Sequence, residues 1–587
     1  MAGSGPRFGP RQGSATTQSP LGCGPRGSGH RLRVRGRSIR KAWIKSISSG
    51  AGCGSTPGTR ALSSYLGSPI GWRWCGSGGR SRRRRCWPAS STRKTHRLIE
   101  RGQACRSFWE GTRLLVSDRC AGIRFGTDGW RGIIADDCTV ETIRCVGRAY
   151  AEFLYEQGLD RRPRVVLGFD RRFASDLFAE ALADELSLAG VDVLMCRQPV
   201  PTPVVSFVIT QFGADGGLVV TASHNPAHYN GVKIKTAAGA SAPPELCRAL
   251  EERIARSQPG PKAPARGNIT DVRPLDAYLE RLERVAPVAA IRAAGFTVIA
   301  DPLYGTTAGL LPQLLNGDLT KCVEINAVHN PLFPGISGPE PVEQNLGKLQ
   351  RAVVDGRATL GLAFDGDGDR LGVIDERGAY VSAQHVFALV AFYLLDLRGL
   401  RGPMVRSVNG SAMLDRLAQR YGVSVIETPN GFPYLARAMQ EHRAVIAGEE
   451  SGGIAVALHL PERDGLLCGL LLLDLLRQRR GPLSQVLDEL EEIVGTWAYR
   501  RLDLPLPPAR RDAVRSRLQS AAKPARLAGL AVVDESRLDG LKLYLENGAW
   551  VLIRPSGTEP LLRVYVEAPE PERVDQLLAE ARQWLEQ

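Results

Sequence analysis

The chain has 587 residues, too many for a single hydrophobic core, and its length points to roughly three to five domains. Hydrophobic residues make up 43% and charged residues 23%, as in globular proteins, and no apolar run of about eighteen residues marks a membrane span. The net charge of +15 is concentrated at the front: residues 1–118 hold 23 Lys and Arg against three acids, Glu100, Glu110 and Asp118, so the rest of the chain is mildly acidic and a nucleic-acid partner is not expected of it.

Residues 1–118 are rich in Gly, Ser and Arg, with a run at Arg82–Arg85, and show no sustained periodicity. Three readings compete for this basic extension: a transit peptide, a nucleic-acid-binding arm, or an over-extended reading frame. The last is favoured, because five of the nine tryptophans fall in this unpatterned stretch and disordered tails seldom carry so many aromatics. The twelve cysteines form no CxxC pair and no zinc spacing, which suggests buried free thiols and a cytoplasmic protein.

From residue 119 onward a strand–turn–helix–strand plan recurs three times. The first copy runs from Val165–Phe169 through a helix capped by Ser175, with Phe178, Ala181, Leu182 and Leu186 on its apolar face, to Val191–Leu194. The second starts at Phe296–Ala300, has a helix with Ala308, Leu311, Leu314 and Leu315 on one face, and returns at Cys322–Ile325. The third runs from Met404-Val405 through Met413, Leu414, Leu417 and Tyr421 to Val423–Ile426. Leu466–Leu476 reads as a buried helix. Each copy then reaches a further apolar strand that ends in a polar loop: Thr221-Ala222-Ser223-His224-Asn225-Pro226, Asp365-Gly366-Asp367-Gly368-Asp369-Arg370, and Gly448-Glu449-Glu450-Ser451-Gly452-Gly453. Alternating strands and helices imply doubly wound sheets, whose ligands sit beyond the carboxyl ends of the strands. The tail differs: residues 539–568 read as two strands joined at Glu546-Asn547-Gly548, followed by a helix from Pro571 to Leu585. The domain plan is therefore a first α/β domain at 119–272, a second at 273–378, a third at 379–497 and a smaller α+β domain at 498–587.

Asp365, Asp367 and Asp369, alternating with glycines, form an oxygen-lined site for a hard cation, and Mg²⁺ fits if phosphate oxygens complete its shell. An EF-hand is disfavoured, since its sixth position must be Gly and is Arg370, and the flanks read as strands; a plain solvated acidic turn is the other alternative. Arg370 either grips a phosphate or pairs with a neighbouring aspartate. Ser223 alone would be an ordinary turn residue. Beside a metal loop it reads as a phosphorylated nucleophile, because Gly-x-Ser-x-Gly is absent and adjacent Ser-His is not a hydrolase triad. His224 is assigned to orienting the serine loop. Lys233, if desolvated, exchanges a proton with a sugar hydroxyl. Glu449 and Ser451 suit paired sugar hydroxyls. Arg554, Ser556, Gly557 and Thr558 suit a non-reacting phosphate, with Arg563 as a helper.

Together these loops, with Gly126-Thr127-Asp128-Gly129-Trp130-Arg131-Gly132, resemble the α-D-phosphohexomutase family in motif and in order across residues 121–587. The resemblance implies four domains around a central cleft: three similar doubly wound α/β domains and the α+β domain. It implies Mg²⁺ held by phosphorylated Ser223 and the three aspartates, and a hexose 1,6-bisphosphate as intermediate and activator. Arg131 and Lys233 match residues of contact and proton transfer. The substrates implied are small hexose phosphates, with no membrane partner and a monomer or homodimer as the assembly. Gly-Glu-Glu-Ser leans toward the glucose-handling branch, ahead of mannose and glucosamine phosphates. Two positions depart from the pattern: Pro433 follows Gly431-Phe432 where many members have lysine, and Gly453 stands where some mannose-handling members have histidine. Both leave the second proton-transfer group open. The alternatives are a phosphoglucosamine mutase, a metal-dependent sugar-phosphate phosphatase and a non-catalytic sensor.

Overall fold

The structure, a computed structural model, describes Cys120 and residues 122–256, 265–520, 522–556 and 560–586. The expectations for residues 1–118, and those for Gly557 and Thr558, lie outside the described residues.

Three mixed sheets share one plan. The first contains β1 (Trp130–Ile133), β2 (Arg164–Phe169), β3 (Asp192–Cys196), β4 (Gly216–Val220), β5 (Tyr229–Thr236) and β6 (Ile269–Val272), in the order β1-β5-β4-β2-β3-β6. The second contains β7 (Thr297–Asp301), β8 (Lys321–Glu324), β9 (Leu360–Phe364), β10 (Leu371–Ile374) and β11 (Tyr380–Val381), in the order β11-β10-β9-β7-β8. The third contains β12 (Met404–Ser407), β13 (Val425–Thr428), β14 (Ile446–Gly448) and β15 (Ile454–Val456), in the order β13-β12-β14-β15. In each sheet three parallel strands are followed by an antiparallel one: β4 pairs with β5, β9 with β10 and β14 with β15. The serine, aspartate and glutamate loops are those three antiparallel turns. Each lies at the carboxyl end of the parallel strand that precedes it, where chain reversal leaves a short polar loop.

Three local expectations are corrected. Ala174, in the left-handed region, caps the helix Ser175–Leu188, and the Ser175 hydroxyl instead donates to Asp170 Oδ1 at 2.6 Å. Gly309, at φ +85°, delays the second helix to Leu310–Leu315, so Ala308 precedes it. Residues 539–568 hold three strands rather than two, β19 (Leu541–Leu545), β20 (Trp550–Pro555) and β21 (Leu561–Ala568); with β16 (Ala498–Pro505), β17 (Arg526–Leu527) and β18 (Leu530–Ser536) they form a six-stranded antiparallel sheet, followed by the helix Pro571–Glu586. The loop between β20 and β21 is polar, and the missed strand Leu561–Ala568 follows it. The free-thiol expectation holds for Cys138, Cys196, Cys247, Cys322 and Cys468, all buried, but Cys120 and Cys145 form a disulfide with Cα atoms 6.4 Å apart.

Apolar packing ties the domains together unequally. The first domain, through Val166 and Val219 of its sheet and Val205 of the helix Thr202–Phe212, joins the same continuous core as Leu311 and Leu362 of the second and Leu414 and Leu472 of the third. The helix Gly465–Arg479 runs through this core with residues 465–476 all buried, as its apolar run foretold. The last domain has its own core, built from Leu543, Val551, Val564 and Leu577. It meets the third domain through a small cluster of Val408, Trp550, Leu552 and Tyr565 and through Lys542, whose Nζ donates to Val408 O at 2.6 Å and Glu427 Oε2 at 2.7 Å. Among the described residues no helix is long and apolar enough to cross a membrane.

Candidate active site

The serine loop is built from the end of β2. Asp170 is buried there and accepts from Thr221 Oγ1 at 2.6 Å, while Thr221 Oγ1 accepts the Ser223 amide at 2.8 Å. Ser223 sits at φ +51°, where a residue with a side chain is strained by roughly 1 kcal/mol. Arg172 holds that conformation: its Nη2 donates to Ser223 O and Asn225 O, both at 2.6 Å, its Nη1 to Pro226 O at 2.9 Å, and its guanidinium lies over the Phe333 ring. Arg131 donates through Nη1 to Asn225 Oδ1 in the same loop.

The metal loop meets this serine directly. Ser223 Oγ donates to Asp365 Oδ2 at 2.9 Å, and Asp365 Oδ1 accepts the amides of Asp369 and Arg370 at 2.9 and 3.0 Å, which closes the turn. Gly366 makes the approach possible, since a Cβ there would stand 2.5 Å from Ser223 O. One oxygen from each of Asp365, Asp367 and Asp369 lies within 4.8 Å of the others, and all three residues are buried. Burial and the neighbouring Asp369 and Asp367 push the Asp365 carboxyl well above its ordinary range. Asp367 Oδ1 and Asp369 Oδ1 are buried without a hydrogen-bond partner. Three hard oxygen donors, two of them with orphaned atoms, fit a divalent cation such as Mg²⁺.

Lys233, on β5, reaches Asp128 and Asp367 at 2.8 Å and Asp369 at 2.6 Å. Burial draws its pKa down, but these three carboxylates outweigh that and raise it, so the amine is held charged. The desolvated lysine expected from sequence is present, with its proton tightly held. His224 Nδ1 lies 3.3 Å from Ser223 Oγ, and burial together with Arg370, Arg131 and other cations pushes its pKa well below 6.5, which keeps the ring neutral. Arg370 pairs with Glu340 at 2.8 Å rather than with a neighbouring aspartate side chain.

The sugar loop touches the metal loop backbone to backbone: Leu371 N donates to Gly452 O at 3.1 Å, and Arg370 and Gly453 form an isolated β-bridge. Glu449 is buried, and burial raises its carboxyl to about 7 against the pull of Arg463. Ser451 is half-buried on the same turn. From the last domain, Arg554 donates to Asp539 Oδ2 at 2.9 Å, and the same oxygen accepts Asn430 N of the third domain at 3.1 Å. Glu450 acts on Arg554 electrostatically, together with Asp539 and Tyr565. Ser556 is buried, its amide bonded to Leu561 O, and Arg563 lies 3.7 Å from Asp503. The serine, lysine, aspartate and glutamate residues thus converge, and Arg554 is tied to the third domain through Asp539.

Sequence reasoning gave no role to four residues that organise this site: Arg172, Glu340, Arg463 and Asp128, the last quoted only within its motif. Arg463 touches Asp128, Asp369 (2.6 Å) and Glu449 (3.2 Å). The only hint was three consecutive charges, Glu462-Arg463-Asp464, just before an apolar helix, and all three are buried.

Comparison with known proteins decides the family. Models of phosphoglucomutase/phosphomannomutase domains match in order: α/β/α domain I at residues 122–260, domain II at 276–378, domain III at 382–493 and the C-terminal domain at 514–583. The chain belongs to the phosphoglucomutase/phosphomannomutase family. A Thermococcus kodakarensis protein named "Phosphoglucomutase/phosphomannomutase" is 33% identical over 78% of this chain and 97% of its own length. A Pyrococcus abyssi protein named "Probable phosphoglucosamine mutase" is 31% identical over 78% and 97%. The crystal structure of a phosphoglucomutase/phosphomannomutase family protein from Burkholderia thailandensis superposes with a TM-score of 0.68 at 26% identity, covering 78% of this chain and 96% of that one. The chain is thus a phosphohexomutase, a phosphotransferring isomerase, and the three α/β domains and the α+β tail are this family's architecture.

Proposed function

We propose that this phosphohexomutase interconverts hexose 1-phosphate and hexose 6-phosphate, with glucose phosphates first, through phosphorylated Ser223 and a hexose 1,6-bisphosphate. The observation that carries the reading is the 2.9 Å approach of Ser223 Oγ to Asp365 in a cluster of three buried carboxylates. A hydroxyl so placed next to oxygen ligands suits phosphoryl transfer and not acyl chemistry.

In this reading a sugar hydroxyl attacks the phosphorus on Ser223. The P–Oγ bond breaks as the new P–O bond forms, and the proton lost by the sugar hydroxyl is balanced by the one taken up on Ser223 Oγ, which ends as the free hydroxyl that donates to Asp365. Mg²⁺ held by Asp365, Asp367 and Asp369 would supply neutralisation of the phosphoryl charge and polarise the leaving bond. Arg131 and Arg370 steady the phosphoryl oxygens. His224, neutral, orients Oγ. Lys233, charged, is set to give a proton to the sugar oxygen when that oxygen departs in the return transfer. Glu449 and Ser451 read sugar hydroxyls, while Arg554 and Ser556, with Gly557, Thr558 and Arg563, hold the phosphate that does not react. The separate core of the last domain supports its use as a lid that keeps water from the phosphoserine.

A second reading, glucosamine phosphate as substrate, is favoured by the name of the Pyrococcus abyssi relative. A panel of glucose, mannose and glucosamine 1-phosphates, with Mg²⁺ and a trace of bisphosphate, tests both. Isomerisation fastest on glucose 1-phosphate supports the first reading. Fastest turnover of glucosamine phosphate selects the second. Release of inorganic phosphate without isomerisation refutes both.

A further inference from the structure

The guanidinium of Arg463 is only 3% exposed, yet it joins three domains. It reaches Asp128 before β1, Asp369 of the metal loop at 2.6 Å and Glu449 of the sugar loop at 3.2 Å. It lies over the Phe432 ring, 4.9 Å from the centroid. Its stem passes through space that a side chain at residue 453 would fill: a Cβ on Gly453 would stand 2.3 Å from Arg463 Cδ and 3.2 Å from Cγ. The Gly453 backbone is not in the left-handed region, so conformation does not demand glycine there. Room does. The same residue accepts the Glu449 amide at 3.0 Å, so whatever displaces Arg463 from Gly453 also disturbs the glutamate turn.

We propose that Arg463 is the positioning residue of the sugar reader, fixing the Glu449 carboxylate against Asp128 and the metal loop, and that Gly453 is glycine so that this side chain can pass. The inference rests on the mutase reading for the role of Glu449. A guanidinium is suited to the task because its planar fork serves several carboxylates at once, with a charge that does not titrate. A lysine ammonium reaches one or two of them and leaves the rest.

Two measurements test it. In a thermal-unfolding cycle of Gly453→Ala, Arg463→Ala and the double variant, Gly453→Ala lowers the midpoint in the wild-type background and leaves it unchanged once Arg463 is truncated. Equal losses in both backgrounds overturn the steric link. In steady-state assays, Arg463→Lys, which keeps a buried cation and so the fold, raises KM for the hexose phosphate about tenfold or more while kcat changes less than about threefold, as expected for the loss of one charge-assisted contact. Adding Glu449→Gln to Arg463→Lys then costs little more. An unchanged KM in Arg463→Lys, or effects of the two substitutions that multiply in full, overturns the positioning role. A wild type without mutase activity overturns the reading of the site itself. The unfolding cycle needs no substrate, so it separates that result from failure of the Arg463–Gly453 link.

Discussion

Replacing Glu449 with Gln should change how stability depends on pH, by an amount the structure sets. Burial raises the Glu449 carboxyl from its ordinary 4.5 to about 7. A carboxyl raised on folding binds its proton more tightly in the native state. Its contribution is therefore full below about pH 4.5 and is lost as pH rises through 7. The shift corresponds to roughly 3 kcal/mol at about 1.4 kcal/mol per pH unit. Glutamine cannot titrate, so the stability of Glu449→Gln relative to wild type should climb by that order between pH 4.5 and pH 8. Urea unfolding of both proteins at several pH values, without Mg²⁺ or substrate, reads the difference directly, and other titrating groups cancel in it. A wild-type-minus-variant difference that stays flat across this range would refute the burial argument, and one of opposite sign would mean that Arg463 controls the carboxyl instead.

Ser223→Ala should reduce turnover by at least about a thousandfold while leaving the unfolding midpoint close to wild type; retained turnover counts against the phosphoserine. Gly366→Ala places a methyl 2.5 Å from Ser223 O, so it should separate the serine and metal loops and lower kcat more than it lowers stability, as rate and unfolding measurements on one preparation will show. Lys233→Met leaves Asp128, Asp367 and Asp369 without their shared ammonium and should cost about 3–5 kcal/mol by urea unfolding, with part recovered on adding Mg²⁺. Unchanged stability in that variant would mean the ion pairs contribute nothing.

Local pattern carried much of this protein. The three strand–helix repeats were visible because buried parallel strands are short apolar runs and their helices show an apolar face at regular spacing, as in Leu414 and Leu417. The antiparallel strand β10 was legible as the apolar flank of the metal loop, but β5 and β15 are less obvious, since Tyr229–Thr236 mixes Asn, Lys and Val and gains its place only by pairing with β4. The polar loops announced themselves because Asp-Gly-Asp-Gly-Asp has no packing use. Arg172 and Arg463 did not. Each looks like a surface arginine in sequence, and each is buried only because carbonyls or carboxylates from other segments converge on it. Such convergence is long-range, and no window along the chain contains it.

The same long-range logic explains why so much charge is tolerated in the interior. Asp128, Asp365, Asp367, Asp369 and Glu449 bring five carboxyls together, and Lys233 and Arg463 supply two cations that contact four of them. Unmatched, each buried charge would cost several kcal/mol, so the cluster stands only because its acids are shared between forked or multidentate donors and Asp365 is pushed toward its neutral form. A divalent cation and a phosphoserine carry nearly opposite charges, roughly +2 and −2. Introduced together they leave that balance almost unchanged, while either alone would upset it. The arrangement of Lys233 and Arg463 is therefore better understood as holding the acids ready for a cation–phosphate pair than as a pair of surface salt bridges that happened to be buried.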